Sequence, residues 1–254
     1  MHLLGFNIVS SGSKGNSTIL WDDSDLLVFD MGISLSRLQG RMSLLGLRGL
    51  QVSAFISHEH SDHSSGIRAL HRRARADVYT RPRTAEAIGL DDAFPIRDTV
   101  VIGNFEVKAI SVSHDAVDPV AFRVRYGRYR IGIVSDLGRV DRYLIDELRG
   151  CDILAFESNH DVEMLRTGPY SPPLKARILS DHGHLSNEQA AEAIARIVKP
   201  ETHVVLTHLS QENNRPDIAY STVSQYLANR DVRYASLECA SQDRGSSVLT
   251  LDES

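Results

Sequence analysis

Along the first third of the chain, apolar residues fall in short runs separated by Gly, Ser and Asp: LLGFNIV (3–9), STILWD (17–22), LLVFDM (26–31) and VSAFIS (52–57). Runs of that length bounded by turn residues predict buried β-strands. SLSRLQGRMSLLG (34–46) and GIRALHRRA (66–74) instead space their apolar positions as helices do. Strands are predicted again at DVYT (77–80), FEVKAIS (105–111), VAFRVRY (120–126) and YRIGIVSD (129–136), the last two forming a hairpin with Gly127 near its turn. The second half mixes both periods. VDRYLIDELRG (140–150) predicts a helix and DILAFES (152–158) a strand. NEQAAEAIARIV predicts a helix opened by a Ser186–Gln189 capping box and closed by Pro200. HVVLTH (203–208) is another strand, followed by a helix near 216–229 and strands around 233–238 and 246–251. Many strands with interspersed helices, and no repeat or long linker, predict one layered α/β or α+β domain over 1–254.

Composition narrows the class. With 42% hydrophobic and 24% charged residues, the 254-residue chain can bury a substantial core. A net charge of −5 gives no global basic field, so any nucleic-acid contact has to come from a local basic stripe. Cys151 and Cys239 match no zinc-ligand spacing and make no disulfide framework, which fits a reducing cytosol. MHLLGFNIVSSG lacks the charges and apolar core of a signal peptide, and no run of about 18 apolar residues exists. The expectation is a cytoplasmic protein without a membrane segment.

One stretch needs a chemical explanation. ISHEHSDHSSG (56–66) places His58, His60, Asp62 and His63 within six positions. Further candidates stand where predicted strands end: His114 after VKAISVS, Asp136 after RIGIVS, Glu157 after CDILAF and His208 after THVVLT. Strand ends hold a side chain rigidly while aiming it at open space. A solvated polar loop is the plain alternative for the hexapeptide. Four side chains of one hexapeptide crowd a single ion, but they can serve two adjacent ions that share a bridging carboxylate. His58, His60 and His114 would then hold one ion, Asp62, His63 and His208 the other, with Asp136 between them. Five imidazoles and two carboxylates suit zinc, manganese or iron.

H-x-H-x-D-H followed by a later His, a later Asp and a final His resembles the signature of the metallo-β-lactamase fold. The resemblance implies an α+β fold, an αββα sandwich, with a binuclear site at one edge of its two sheets. SSGSKGNST, VSDLG, ESNHD, ILSDHGHLSN and THLSQENN together are similar to the YycJ (WalJ) branch. That similarity implies a 5′-to-3′ exonuclease acting on DNA, single-stranded or at duplex ends, with RNA as a further candidate. The tRNA 3′-processing endonucleases are also similar, which implies Glu157 and His184 as a proton-donating pair; in the two-metal chemistry expected here, Asp62 would orient the attacking hydroxide while ligating the second ion. Their long flexible arm, and the extra domain of RNA-degrading and crosslink-repair relatives, are not seen here, which weighs against those substrates.

Two rival functions stand beside the nuclease. The same metals could hydrolyse a small phosphodiester, a thioester or a lactone. A metal-binding regulatory module without catalysis would lack a ligand, whereas all seven positions are filled. Among the remaining residues, Ser13 and Asn16 sit in a small-residue loop that is either a tight hairpin or a support for the site. His160 is expected to line the pocket. Asn213 and Asn214 are expected either to bond phosphate or to cap a turn. Two arginine clusters (68, 72, 73, 75, 81, 83 and 123, 125, 128, 130) supply phosphate attraction if they border the site and are a solvated face if they do not. His2, His71 and His203 read as structural or exposed.

Overall fold

A computed structural model of the chain describes residues 3–252. In order, the elements are β1 (Leu3–Ser10), β2 (Ser17–Trp21), β3 (Asp25–Phe29), α1 (Leu35–Leu44), β4 (Gln51–Ile56), α2 (Ser61–Ser64), α3 (Ile67–Ala74), β5 (Asp77–Thr80), α4 (Pro82–Ile88), β6 (Phe94–Pro95) and β7 (Thr99–Ile102). They continue with β8 (Phe105–Ser111), β9 (Val120–Tyr126), β10 (Tyr129–Val134), α5 (Arg142–Leu148), β11 (Ile153–Glu157), α6 (Val162–Thr167), α7 (Pro172–Ile178), α8 (Asn187–Ile197), β12 (His203–Thr207), α9 (Pro216–Ala228), β13 (Ser236–Cys239) and β14 (Leu249–Asp252).

The strands form two seven-stranded sheets, ordered β14-β1-β2-β3-β4-β5-β6 and β13-β12-β11-β10-β9-β8-β7. Strands β3 to β6 are parallel in the first sheet, and β10 to β13 in the second. Their carboxyl ends therefore gather along one edge of each sheet. β8 is antiparallel to β9, and β9 to β10, so β8 ends at that edge too.

Burial explains the layers. Between the sheets lie Phe6, Phe29, Phe55, Phe122 and Ile131, where Phe29 stacks on Phe55 at 5.2 Å and tilts against Phe122 at 5.2 Å. Each such side chain contributes about 1.5–3 kcal/mol on burial. Outside the first sheet, Leu38 of α1 and Leu70 of α3 cover Trp21 and Ile56. Outside the second, Leu148, Ile194 and Leu227 of α5, α8 and α9 cover Leu154 and Leu206. Helix, sheet, sheet, helix is the αββα sandwich.

Local chemistry sets the boundaries. Ser34 and Asp141 accept backbone N–H groups three residues on, so α5 begins at Arg142 and not at Val140. The Ser186–Gln189 capping box is formed on both sides. The predicted strand through Met31 stops at Phe29, because Asp30 takes the left-handed conformation (φ 60°) and turns the chain. The short helices α4, α6 and α7 have no counterpart in the sequence reading. Each spans two turns or fewer, too short for a helical period to emerge from the pattern. His2 lies outside the described residues.

Candidate metal centre

The strand ends converge. Asp30 ends β3, His58 follows β4, His114 follows β8, Asp136 follows β10, Glu157 closes β11 and His208 follows β12. Asp30, Asp136 and His208 all have left-handed backbone, at φ 60°, 48° and 53°. L-residues hold that conformation at a cost, and here it swings each side chain over the sheet edge. Helix α2 brings Asp62 and His63 to the same place. The chain fits there because residue 32 is glycine: a Cβ on Gly32 would lie 1.6 Å from the Asp62 carbonyl oxygen.

Three overlapping donor groups result: His58, His60, His114 and Asp136; Asp62, His63, Asp136 and His208; and Asp136, Glu157, His184 and His208. Asp136 Oδ2 lies 3.5 Å from His58 Nε2 and 3.6 Å from His114 Nε2 on one side, and 3.3 Å from His63 Nε2 on the other. His60 Nδ1 is 3.4 Å from His114 Nε2, and Asp62 Oδ2 is 3.4 Å from both His63 Nε2 and His208 Nε2. A tetrahedral ion with bonds of about 2.0–2.1 Å spaces its donors by roughly 3.3–3.4 Å. The donors therefore stand at ligand spacing with room for an ion between them. His58 Nε2 is buried and has no hydrogen-bond partner among the described residues, as expected of a ligand atom, while Asp136 Oδ1 faces His208 Nδ1 at 2.9 Å. Divalent metal binding is what this set of donors is built for.

Protonation follows the same geometry. Burial keeps His58 neutral, and burial with the neighbouring His58 and His184 pulls His114 down to about 4. Burial also opposes charge on His63 and His208, but Asp136 outweighs it and raises both well above the ordinary range. Metal entry must displace their protons.

Ligand tautomers are fixed by partners that the sequence did not disclose. The His63 Nδ1–H donates to Asp30 Oδ2 at 2.7 Å. Asp30 also accepts from the Ser57 backbone N–H (2.8 Å) and the Ser57 hydroxyl (2.9 Å), and that hydroxyl faces His58 Nδ1 at 2.9 Å. One carboxylate thus orients a candidate ligand on each side of Asp136. His114 Nδ1–H donates to the Gly183 carbonyl at 3.1 Å, leaving Nε2 free for a metal. The only sequence signal for Asp30 is an Asp at a strand end. Asp30→Asn is expected to weaken metal binding about 10–100-fold, the usual cost of losing such a partner, as read by chelator competition.

Glu157 and His184 form a pair beside these groups. His184 Nδ1–H donates to Glu157 Oε1 at 2.7 Å, while Glu157 Oε2 accepts the backbone N–H groups of Leu137 and Leu185 at 3.1 Å each. Burial opposes ionisation of Glu157, but His184 outweighs it and holds the carboxyl at about 2. Burial likewise opposes charge on His184, which the facing carboxylate overcomes, raising its pKa.

The other predicted residues divide. Ser13 lines a cleft of about 170 Å³ together with His184 and His208. Asn16 supports the centre: its Nδ2 lies 3.0 Å from His63 Nε2 and 3.3 Å from Asp62 Oδ2, and its backbone N–H donates to the Asp62 carbonyl at 2.7 Å. His160, Asn213 and Asn214 are buried away from the cleft. Asn214 is consumed by a buried network, donating to the Ser158 and Asn159 carbonyls at 2.9 and 3.0 Å and bonding Asn187. The second arginine cluster is largely spoken for: Arg123 pairs with Glu147 at 2.6 Å and Arg125 with Glu106 at 2.6 Å. His71 pairs with Asp92 at 2.8 Å and His203 with the Ser236 hydroxyl at 2.8 Å.

His160 is 1% exposed, neither ring nitrogen has a partner among the described residues, and burial lowers its pKa from 6.5 to about 4. The unfolded chain therefore takes up a proton that the folded one refuses as pH falls from 6.5 towards 4. That difference is worth at most about 3 kcal/mol of stability, present above 6.5 and lost below. Urea melts of His160→Gln across this range should show a flatter pH dependence than the wild type.

Stacked sheets with imidazole and carboxylate donors at one edge define a metallohydrolase-type sandwich, and residues 27–209 match the family model of the β-lactamase superfamily domain, Lactamase_B_2. Within that superfamily the chain belongs to the family of YycJ and WalJ. It is 36% identical to "Exodeoxyribonuclease YycJ" of Bacillus anthracis, across 89% of this chain and 90% of that protein. It is 35% identical to "Exodeoxyribonuclease WalJ" of Streptococcus pneumoniae serotype 2, across 89% of each. Among solved structures, YhfI from Bacillus subtilis aligns with a TM-score of 0.73 at 17% identity, covering 99% of this chain and 100% of that one. Human short-form tRNase Z aligns at 0.63 and 15% identity, covering 98% of each. Both share the fold.

Proposed function

We propose that the protein is a metal-dependent exodeoxyribonuclease that releases nucleotides from the 5′ end of DNA and works with two divalent ions. The observation that carries this reading is Asp136, shared between two donor groups beside the Glu157–His184 pair, in a chain 36% identical to an exodeoxyribonuclease. His58, His60 and His114 would hold one ion, Asp62, His63 and His208 the other, with Asp136 common to both. Their 3.3–3.6 Å spacing supports zinc-type tetrahedral sites, although manganese and iron accept the same donors. A bound divalent ion supplies a water of lowered pKa and withdraws charge from the phosphate.

The chain does the rest. Burial opposes ionisation of Asp62, but His208 and His63 hold it well below the ordinary carboxylate range, so it accepts a hydrogen bond from the attacking water and orients it. His184 reaches the cleft, and the facing Glu157 carboxylate raises its pKa and so favours the imidazolium that gives its Nε2 proton to the leaving oxygen, while Glu157 holds the ring from Nδ1. Ser13 lines the same cleft and offers a hydroxyl to substrate. Cys151 and Cys239 are both free, which supports a reducing cytoplasmic location. No helix among the described residues is long and apolar enough to cross a membrane.

The test uses metal-analysed protein with DNA and RNA strands labelled at either end, with and without added Mn²⁺. Metal-dependent release of 5′-terminal nucleotides from DNA is expected. Cleavage of small phosphodiesters or thioesters alone would keep the metal centre and reject the nuclease.

A further inference from the structure

The cleft beside the centre has apolar lining that the chemistry above leaves unused. His184, His208 and Ser13 line it, and so do Tyr170, Leu174 and Ile178. At about 170 Å³ the cleft is smaller than the 300–1,000 Å³ of pockets that enclose whole small molecules. One aromatic ring system fits; a base pair with its stacked neighbours does not.

The apolar wall is held firmly. Tyr170 is half-buried in the segment Gly-Pro-Tyr-Ser-Pro-Pro (168–173), where three prolines restrict the backbone. Gly168 packs closely below, since a Cβ there would lie 2.5 Å from Asn213 Oδ1 and 2.6 Å from the Met164 carbonyl. Asn213, predicted as a substrate contact, thus supports the loop from beneath. On α7, Arg177 pairs with Asp115, whose backbone N–H donates to the His182 carbonyl at 3.0 Å. The wall is tied in this way to the loop that carries His114.

We propose that this cleft is a single-nucleotide subsite in which Tyr170 stacks on the base of the terminal nucleotide of an unpaired DNA strand. The inference rests on the nuclease reading above. Stacking suits an enzyme that must accept every base in turn, because each base presents a π-face whatever its edge. Because Tyr170 and His184 line the same cleft, the base held by Tyr170 belongs to the nucleotide whose leaving oxygen meets His184. A paired end must unstack before entering, which costs a few kcal/mol and slows blunt duplexes relative to single strands.

The experiment compares wild type, Tyr170→Ala and Tyr170→Phe on single-stranded DNA ending in a normal or an abasic nucleotide, with metal content measured for each. Stacking is worth about 1–3 kcal/mol per base, or roughly 5–150-fold. The wild type should favour the normal terminus by that factor, expressed mainly in KM. Tyr170→Ala should treat both termini alike, and Tyr170→Phe should restore the preference with metal content unchanged. If the wild type degrades DNA and Tyr170→Ala keeps both its KM and its preference, the subsite is wrong and the nuclease reading stands. If the wild type degrades no DNA, both fall together.

Discussion

Asp136→Ala should lose metal from both halves of the centre at once, and its DNA hydrolysis should fall at least about 10³-fold. The carboxylate is 3% exposed, and one oxygen lies between 3.3 and 3.6 Å from imidazoles on each side. Burial alone would push its pKa up; His208 and His63 instead hold it well below the ordinary range, so it stays ionised. Alanine removes the negative charge that both donor groups share and leaves each with neutral imidazoles and fewer donors. The several kcal/mol that a bound ion contributes at a transition state correspond to three or more decades in rate. A thermal titration separates binding from folding. Saturating Zn²⁺ at 100 times its dissociation constant stabilises by about 2.7 kcal/mol, and each kcal/mol moves Tm by about 2–4 °C at this size. The wild type should therefore gain roughly 5–10 °C and the variant far less. A variant that keeps full metal content would sink the shared-ligand reading.

His184→Ala should leave metal content intact and lower kcat about 10²–10⁴-fold on DNA, the range for losing a positioned general acid. The diagnostic is the leaving group. A phosphodiester with a nitrophenolate leaving group needs no proton, so the variant should hydrolyse it at nearly the wild-type rate. The pH profile gives a second readout. Glu157 raises the His184 pKa, so the protonated acid is present below that raised value and lost as pH climbs through it. Wild-type activity on DNA should fall on that alkaline limb, and the limb should be missing from the variant. Equal losses on both substrates would make His184 a structural residue.

Asp136 stands out as a candidate before any coordinates, and the reason is local, whereas His184 enters through the resemblance to the tRNA 3′-processing endonucleases. A hexapeptide of alternating ligand types, and polar residues placed where apolar runs stop, are patterns of nearest neighbours along the chain. The same holds for the strands themselves and for the Ser186–Gln189 cap, each set by a period or by a contact three residues away.

Tertiary structure decided what depends on distance through space. Asp30 reads as an ordinary strand-end aspartate, yet its left-handed backbone and its bonds to Ser57 and His63, 27 and 33 residues on, make it the brace for both halves of the centre. Asn214 reads in sequence as either a phosphate donor or a turn cap, and its side chain is spent on carbonyls 55 and 56 residues away. Arg123 and Arg125 read as a basic stripe until Glu147 and Glu106 neutralise them. Tyr170 carries no motif, and its place in the cleft follows from how α6 and α7 fold over the sheet edge. Sequence spacing alone determined the strand pattern and which side chains could ligate a metal, because a repeating period is written into the order of residues. The braces, the buried networks and the shape of the cleft came from packing two sheets face to face, which brings together groups far apart in sequence, as where the Ser11 hydroxyl accepts the His208 backbone N–H across 197 residues.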